Sequence, residues 1–153
     1  MLRLLREAVP VWYAPDQDYG EDHSVFVPFL GVPAATITAT ARLARLANAV
    51  VIPHTVKRLP HGQGYEITLH PPLTNYPSGD DMADAIYINE IIAMHIRQNP
   101  EQYLWAHRRF KTRPTDMPER YPEVTARKLA LRKKQWAKKR KLKQRQAQRQ
   151  KKH

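Results

Sequence analysis

Short apolar runs alternate with polar connections along the chain, which predicts a small mixed fold. Residues 1–8 have leucines at positions 2, 4 and 5 and suit the last turns of a helix. The run Val11–Ala14 is short, apolar and stopped by Pro15, and we interpret it as a buried strand. A polar, acidic stretch at residues 16–22 follows it, and open α/β sheets usually place their chemistry in such a loop after a strand.

The next part of the chain predicts an extended segment, a helix and two further strands. Residues 25–31 are apolar but interrupted by Pro28, so we expect an extended segment that ends in a turn. Pro33 suits the first position of an alanine-rich helix that continues to about Asn48. Residues 49–53 predict a second buried strand. Residues 57–64 predict a hairpin-like turn that leads to a third strand at residues 65–69.

The clearest helical pattern follows Asp80 and Asp81, whose carboxylates suit a helix N-terminus. Apolar residues recur at helical spacing from there to position 96, and Pro100 ends the pattern. Residues 101–110 predict a short helix with an aromatic face. The order of elements predicts an α/β fold class, with so few strands that the sheet is incomplete.

Charge is distributed very unevenly. Residues 1–126 contain 12 Lys/Arg and 14 Asp/Glu, a formal net charge of −2, whereas residues 127–153 contain 14 Lys/Arg and no acid, a net charge of +14. We therefore expect a basic extension at residues 122–153 that is disordered or helical. The absence of cysteine excludes disulfides and thiol catalysis. No apolar run reaches the ~20 residues that span a bilayer as a helix.

Several stretches together resemble the bacterial lipid A late acyltransferases, in the order and spacing of that family. The most specific stretch is Pro100–Pro114, PEQYLWAHRRFKTRP. The others are residues 12–20 (WYAPDQDYG), residues 25–31 (VFVPFLG), the small-residue segment that leads to residues 51–53 (VIP), and residues 64–66 (GYE) followed by 71–73 (PPL).

The resemblance implies that residues 1–121 are the C-terminal part of a glycerolipid-acyltransferase-like α/β domain. It implies transfer of a fatty acyl chain from acyl carrier protein to a hydroxyl of a lipid A precursor, at the cytoplasmic face of the inner membrane. It implies no cofactor and no metal. In the family the catalytic His-x4-Asp/Glu motif, whose His acts as general base, lies in a segment that this chain lacks, so we expect no catalysis by the chain alone. His61 and Glu66 have that spacing, but they fall in a glycine-rich turn, and we interpret them as structural.

Two groups of residues are candidates for substrate binding. The resemblance falls on Asp16, Gln17 and Asp18, which either form the rim of an active site or cap their own turn. His107, Arg108 and Arg109 belong to a basic cluster beside aromatic residues.

The basic cluster has three open interpretations. Arginine forks suit phosphate or carboxylate on a lipid head group, and the cluster also suits docking of the acidic acyl carrier protein. In the third interpretation it is a solvated face that directs Trp105 and Phe110 inward. Arg58, after the second predicted strand, is a further candidate for an anionic ligand.

Alternatives to the acyltransferase hypothesis remain open at this point. The basic residues 127–153 suit an anionic membrane surface, but they also suit a non-enzymatic protein that binds nucleic acid or ribosomes. The net negative charge of residues 1–126 makes nucleic acid the weaker interpretation, because such domains carry a basic patch on the folded body. A gene remnant that folds poorly is the third alternative, since half of a sheet leaves an unpaired edge.

Overall fold

The computed structural model describes residues 1–127, 130, 131, 133 and 134, and the chain divides into two units, Met1–Met117 and Pro118–His153. In the second unit, residues 122–127 are helical. Most of the predicted basic extension, including most of the proposed lipid-binding segment 127–153, lies outside the described residues. The elements of the first unit are α1 (Leu2–Arg6), β1 (Ser24–Phe29), β2 (Val32–Ile37), α2 (Ala39–Ala47), β3 (His54–Arg58), β4 (Tyr65–Leu69) and α3 (Asp81–Gln98).

β1 and β2 form an antiparallel hairpin whose two-residue turn is Leu30–Gly31. Both turn residues have positive φ, 52° and 81°, which is the conformation that tight hairpins favour because it matches the twist of the strands. Pro28 lies opposite Pro33 in the register. Antiparallel ladders alternate between hydrogen-bonded and non-hydrogen-bonded pairs, so two residues without an N–H can oppose each other at the second kind. The extended segment and turn predicted at residues 25–31 are thereby confirmed.

The core of the first unit lies between this hairpin and α3. Phe29, Ala34 and Ile96 are buried together. The Phe29 ring also contacts two rings from residues 100–114, which we call the C-terminal block. The centroid distances are 6.2 Å to Tyr103 and 6.0 Å to Phe110. Burial of these aromatic side chains removes a large apolar area from water, so the block at residues 100–114 is held on the body by its rings.

Helix α3 is the element that the sequence predicts best. Its N-cap is Asp80, whose carboxylate accepts hydrogen bonds from the backbone N–H groups of Met82 and Ala83 at 2.8 and 3.2 Å. These bonds satisfy two of the donors that a helix start leaves unpaired. Pro100 follows the helix closely and begins a short 3-10 helix, Pro100–Gln102.

β3 and β4 form a second antiparallel hairpin. The predicted third strand at residues 65–69 is confirmed as β4, and the predicted turn closes through a hydrogen bond from the Leu59 N–H to the Gly64 carbonyl at 2.9 Å. The turn contains the 3-10 helix Pro60–Gly62, in which His61 has a φ of 52°. His61 and Glu66 are both exposed.

The helix predicted from Pro33 to Asn48 is wrong in its first part. Residues 32–37 form β2, and the helix begins only at Ala39. Ala34 and Ala35 are each 0% exposed. The tight turn at Leu30–Gly31 returns the chain along β1, so pairing with that strand overrides the helical preference of the alanines.

Both buried strands predicted N-terminal to the hairpins are wrong. Residues 11–14 are irregular, and Trp12 is 72% exposed. Residues 49–53 are also irregular, although the carbonyls of Val51 and Pro53 accept single hydrogen bonds from the N–H groups of Leu73 and His70. The apolar side chains of these two runs line a cleft instead. Lining a cleft does not require strand pairing.

The fold class of the described residues is mixed α and β. Each sheet is a two-stranded antiparallel hairpin, so the acidic loop at residues 16–22 does not follow a strand as predicted. The short helix predicted at residues 101–110 consists of two 3-10 helices, Pro100–Gln102 and Trp105–His107. Among the residues that the structure describes, every helix is too short or too polar to pass through a lipid bilayer.

Candidate functional site

Asp18 connects the acidic loop to the C-terminal block. Its side chain is almost fully buried, and its Oδ2 accepts a hydrogen bond from the Thr112 N–H at 2.7 Å. Its Oδ1 accepts a second from the Thr112 hydroxyl at 2.8 Å and a third from the Gly20 N–H at 2.9 Å. The bond to Gly20 closes an Asx turn of the kind that Asp commonly forms. Asp18 therefore shapes its own loop and also holds a residue 94 positions away.

Arg109 lies in the interior of the unit and not on its surface. The side chain donates hydrogen bonds to the Ala35 carbonyl at 2.6 Å, the Thr36 hydroxyl at 2.8 Å and the Asn89 side-chain oxygen at 3.4 Å. Its guanidinium carbon lies 5.0 Å from the centroid of the Phe29 ring, within the range of a cation–π contact.

Asn89 and Thr36 complete this buried polar network. The Asn89 amide donates to the Pro28 carbonyl at 3.0 Å and to the Thr36 hydroxyl at 2.9 Å. The Thr36 hydroxyl itself donates to the Ala34 carbonyl at 3.1 Å, so its accepting and donating capacities are both used. The network ties β1, β2, α3 and the C-terminal block to one another, with a guanidinium at its centre.

The acidic loop and the basic-aromatic block come together around Arg109. Burial lowers the pKa of Arg109, while the nearby charges of Tyr103, Asp18 and Asp16 act in the opposite direction. A buried cation is expensive unless it is paired, and the two carboxylates reduce that penalty. Asp16, Asp18 and Arg109 are thus three predicted site residues that share one neighbourhood.

The other predicted site residues do not belong to this buried network. Gln17 and His107 are partly buried, and Arg108 is exposed with a φ of 51° at the end of a 3-10 helix. Arg58 is exposed at the end of β3, and its backbone N–H and carbonyl are both bonded to the side-chain amide of Gln102, at 2.7 and 3.2 Å. The structure does not bring Arg58 together with Asp16 by any hydrogen bond or ion pair among the described residues.

An apolar cleft of about 330 Å³ opens beside the acidic loop. Its lining consists mainly of the irregular runs at residues 11–16 and 49–53, with His54 at the start of β3, and includes Leu43, Ile88 and Ile92 from the helices. Asp16 is the acidic residue of the lining. A mostly apolar cleft with a few polar groups at its edge is typical of a site for an apolar ligand.

Trp12 and His54 lie at the cleft and were not predicted as site residues. The Trp12 indole N–H donates to Nε2 of His54 at 3.1 Å, which fixes one residue of each wall relative to the other. The sequence did mark both runs as apolar. It gave no signal that an indole and an imidazole 42 positions apart would meet.

A pair of histidines joins the second hairpin to α3. The rings of His70 and His95 have centroids 4.3 Å apart, and the Nε2 atom of His70 lies 3.1 Å from the Thr55 hydroxyl. Burial lowers the pKa of His95, and the charge of His70 lowers it further. The described residues contain no cluster of His, Asp and Glu that would hold a metal ion.

Comparison with known proteins identifies the class to which these features belong. The family model described as bacterial lipid A biosynthesis acyltransferase matches residues 1–112. The chain therefore belongs to the family of bacterial lipid A biosynthesis acyltransferases. The resemblance recognised in the sequence is thereby confirmed.

Three relatives from Escherichia coli strain K12 show how much of the family this chain represents. The lipid A biosynthesis lauroyltransferase is 45% identical over 122 residues, which are 79% of this chain and 40% of that protein. The palmitoleoyltransferase is 45% identical over 72% of this chain and 36% of its own length. The myristoyltransferase is 32% identical over 73% and 35%, respectively. The chain thus matches well under half of each relative. These acyltransferase names support the acyltransferase interpretation. They give no support to nucleic-acid binding.

Proposed function

We propose that this chain is the acyl-chain-handling part of a lipid A acyltransferase. The reaction transfers a fatty acyl group from the thioester of acyl carrier protein to a hydroxyl of a lipid A precursor. The observation that carries the proposal is the apolar cleft beside Asp16, within the region that matches the family. A fatty acyl chain is an apolar ligand that gains about 0.8 kcal/mol for each buried methylene, and a cleft of apolar side chains supplies that burial.

The proton-transfer groups of the proposed reaction come from outside these 153 residues. The resemblance assigns them to a His-x4-Asp/Glu motif, in which the His removes the proton of the acceptor hydroxyl as general base. His61 and Glu66 do not fill that role in the proposal, because His61 lies in a left-handed turn and Glu66 lies on a strand, so neither is held against the other by a hydrogen bond. The glycerolipid-acyltransferase-like fold of the whole enzyme is part of the same proposal.

Within this proposal the predicted site residues have two kinds of role. Asp16 contributes to the rim of the cleft, and Gln17 follows it in the acidic loop. The exposed Arg58 and Arg108 and the partly buried His107 are available to phosphates of the lipid head group or to the acidic acyl carrier protein. Asp18 and Arg109 are positioning residues in the proposal. Both carboxylate oxygens of Asp18 and both terminal nitrogens of Arg109 are hydrogen-bonded inside the protein, and these bonds hold the acidic loop and the C-terminal block in place.

The proposed location is the cytoplasmic face of the inner membrane. The proposal rests on the lipid substrate named for the relatives and on the family resemblance, with residues 127–153 adding attraction to anionic lipid through their net charge of +14.

Acyl transfer by a chimeric enzyme tests the proposal. In the chimera, residues 1–112 of this chain replace the matching stretch of the E. coli lauroyltransferase. With acyl carrier protein loaded with a radiolabelled acyl group and a lipid A precursor, the chimera is expected to form labelled lipid. The isolated 153-residue chain is expected to form none. A folded chimera without activity contradicts the proposal, and so does turnover by the isolated chain at a comparable rate.

A further inference from the structure

One face of the β3–β4 hairpin is apolar and open. The strand register places Val56 opposite Ile67, and Tyr65 and Leu69 lie on the same face because alternate residues of a strand point the same way; His54 and Arg58, at the two ends of β3, share that face. All four residues are exposed: Val56 by 53%, Ile67 by 67%, Tyr65 by 68% and Leu69 by 73%. We call these four residues the hairpin face.

The opposite face of the same hairpin is polar. Thr55 pairs with Thr68, and Lys57 pairs with Glu66. Thr55 is also the residue whose hydroxyl meets His70, which in turn stacks on His95 of α3. The hairpin thus turns its polar side to this contact and leaves its apolar side without a cover in the described part of the chain.

The hairpin face extends onto the C-terminal block. Val56 and Tyr65 border a depression that Tyr103 and Leu104 also border, and Leu104 is 55% exposed. An exposed apolar patch of this kind marks a contact surface, because single apolar residues on a surface are ordinary but contiguous ones are not. A two-stranded hairpin is also only marginally stable by itself.

The free edge of the hairpin lies on the same element. The side-chain amide of Gln102 bonds both the N–H and the carbonyl of Arg58, so it covers the end of β3. β4 pairs with β3 and with no other strand among the described residues. An open edge next to an open apolar face suits continuation of the sheet and its covering layer by further chain.

We propose that the hairpin face is the surface on which the remaining part of the acyltransferase fold packs. The matched region is only 40% of the lauroyltransferase, so the family fold contains a large amount of chain that must meet this region somewhere. A lipid surface and a second copy of the chain are the alternative occupants, and the experiment below distinguishes them from the rest of the fold. The proposal rests on family membership and deepens the proposed function by giving the missing part its contact surface.

Cysteine accessibility tests this proposal cleanly, because the chain contains no cysteine. Two single-cysteine variants are made in the whole 153-residue chain, Ile67→Cys on the hairpin face and Thr68→Cys on the polar face of the same strand. Both positions are exposed, so both cysteines are expected to react rapidly with a charged maleimide. The same variants are then made in the chimera with the lauroyltransferase, after its own cysteines are replaced by serine.

The expected result is selective protection in the chimera. Reaction of Ile67→Cys slows by about tenfold or more, as for a side chain that is reached only through local opening, while Thr68→Cys keeps its rate. Equal rates at position 67 in chain and chimera overturn the proposal, as does equal protection of both positions. Protection of Ile67→Cys in the isolated chain by phosphatidylglycerol vesicles assigns the face to the membrane, and protection that depends on chain concentration assigns it to a second copy. Either result overturns the proposal.

This labelling needs neither acyl donor nor lipid acceptor. An inactive chimera in which Ile67→Cys is protected would contradict the proposed function and leave the packing surface supported. An active chimera in which Ile67→Cys stays reactive would support the proposed function and contradict the packing surface.

Discussion

The two carboxylate oxygens of Asp18 accept hydrogen bonds from Thr112, one from its backbone N–H at 2.7 Å and one from its hydroxyl at 2.8 Å. This pair is the direct link between the acidic loop and the C-terminal block. It gives the loop a structural role that exists before any ligand binds. The same carboxylate accepts the Gly20 N–H, so a single side chain sets both the local turn and the long-range contact.

The stability of the unit should depend on the acceptor capacity of the Asp18 side chain. Asp18→Asn replaces one acceptor oxygen with a donor and leaves a Thr112 donor facing it. We expect the free energy of unfolding to fall by about 1–3 kcal/mol, measured by urea denaturation. Thr112→Ser keeps both donors and should lose less. Asp22→Asn, at an exposed position of the same loop, is the matched control and should change stability by less than about 0.5 kcal/mol, so equal losses at positions 22 and 18 would contradict this role.

Adjacent arginines should differ sharply when each is changed to methionine. Arg109→Met removes the guanidinium donors of the Ala35 carbonyl and the Asn89 oxygen and one of the two donors of the Thr36 hydroxyl, so we expect a loss of about 2–5 kcal/mol in unfolding free energy. Arg108→Met removes an exposed side chain and should stay within about 0.5 kcal/mol. Thermal or urea unfolding of the two variants checks the contrast. Similar losses would mean that the buried network does not carry the stability assigned to it.

Lysine should not replace Arg109. Its ammonium lacks the planar fork that serves the Ala35 carbonyl and the Thr36 hydroxyl together. We expect Arg109→Lys to recover only part of the stability lost in Arg109→Met. Full recovery in denaturation experiments would show that charge alone, and not the fork, is what the core requires.

The histidine pair predicts a stability change at mildly acidic pH. The pKa of His95 is lowered from its ordinary value of 6.5 by burial and then by His70. The unfolded chain therefore takes up a proton at a higher pH than the folded chain does. The free energy of unfolding is expected to be fully present above about pH 6.5 and to fall as the pH drops towards the folded pKa of His95.

Replacement of His95 isolates this contribution from that of the other histidines. His95→Gln should give a flatter dependence of unfolding free energy on pH between 7 and 5 than the natural chain, measured by urea titration at each pH. His61→Asn is the control, since His61 is exposed and asparagine tolerates its positive φ. A slope that is unchanged in His95→Gln, or equally changed in His61→Asn, would contradict the prediction.

Local rules predicted those elements whose signals agree with one another. α3 has acidic residues at its start, regular apolar spacing and a proline after its end, and the structure confirms it. β4 and the turn before it were also predicted, because two glycines precede a strand-forming run and prolines follow it. The helix predicted over residues 33–37 was wrong because alanines have a helical preference that pairing with a neighbouring strand can override. That neighbour is visible only in three dimensions.

The candidate site was predicted in part, and family resemblance supplied most of that part. The sequence singled out Asp18 and Arg109, but composition and spacing could not show that both side chains form buried hydrogen bonds, since their partners lie 94 and 74 positions away. The cleft was missed for a related reason. Two apolar runs at residues 11–14 and 49–53 have the composition of buried strands, and nothing local distinguishes a strand in a sheet from the wall of a cleft.

The dependence of acyl transfer on acyl-chain length tests the central claim, that the cleft beside Asp16 takes the acyl group. The variants are made in the chimera: Leu43→Trp fills the cleft, and Leu46→Trp adds the same side chain to α2 at an exposed position that is not part of the cleft lining. Leu43→Trp is predicted to lower kcat/KM for long acyl donors by about tenfold and for short donors much less, with Leu46→Trp unchanged for both. Equal effects of the two variants, or an effect of Leu43→Trp that is the same for every chain length, would contradict the account.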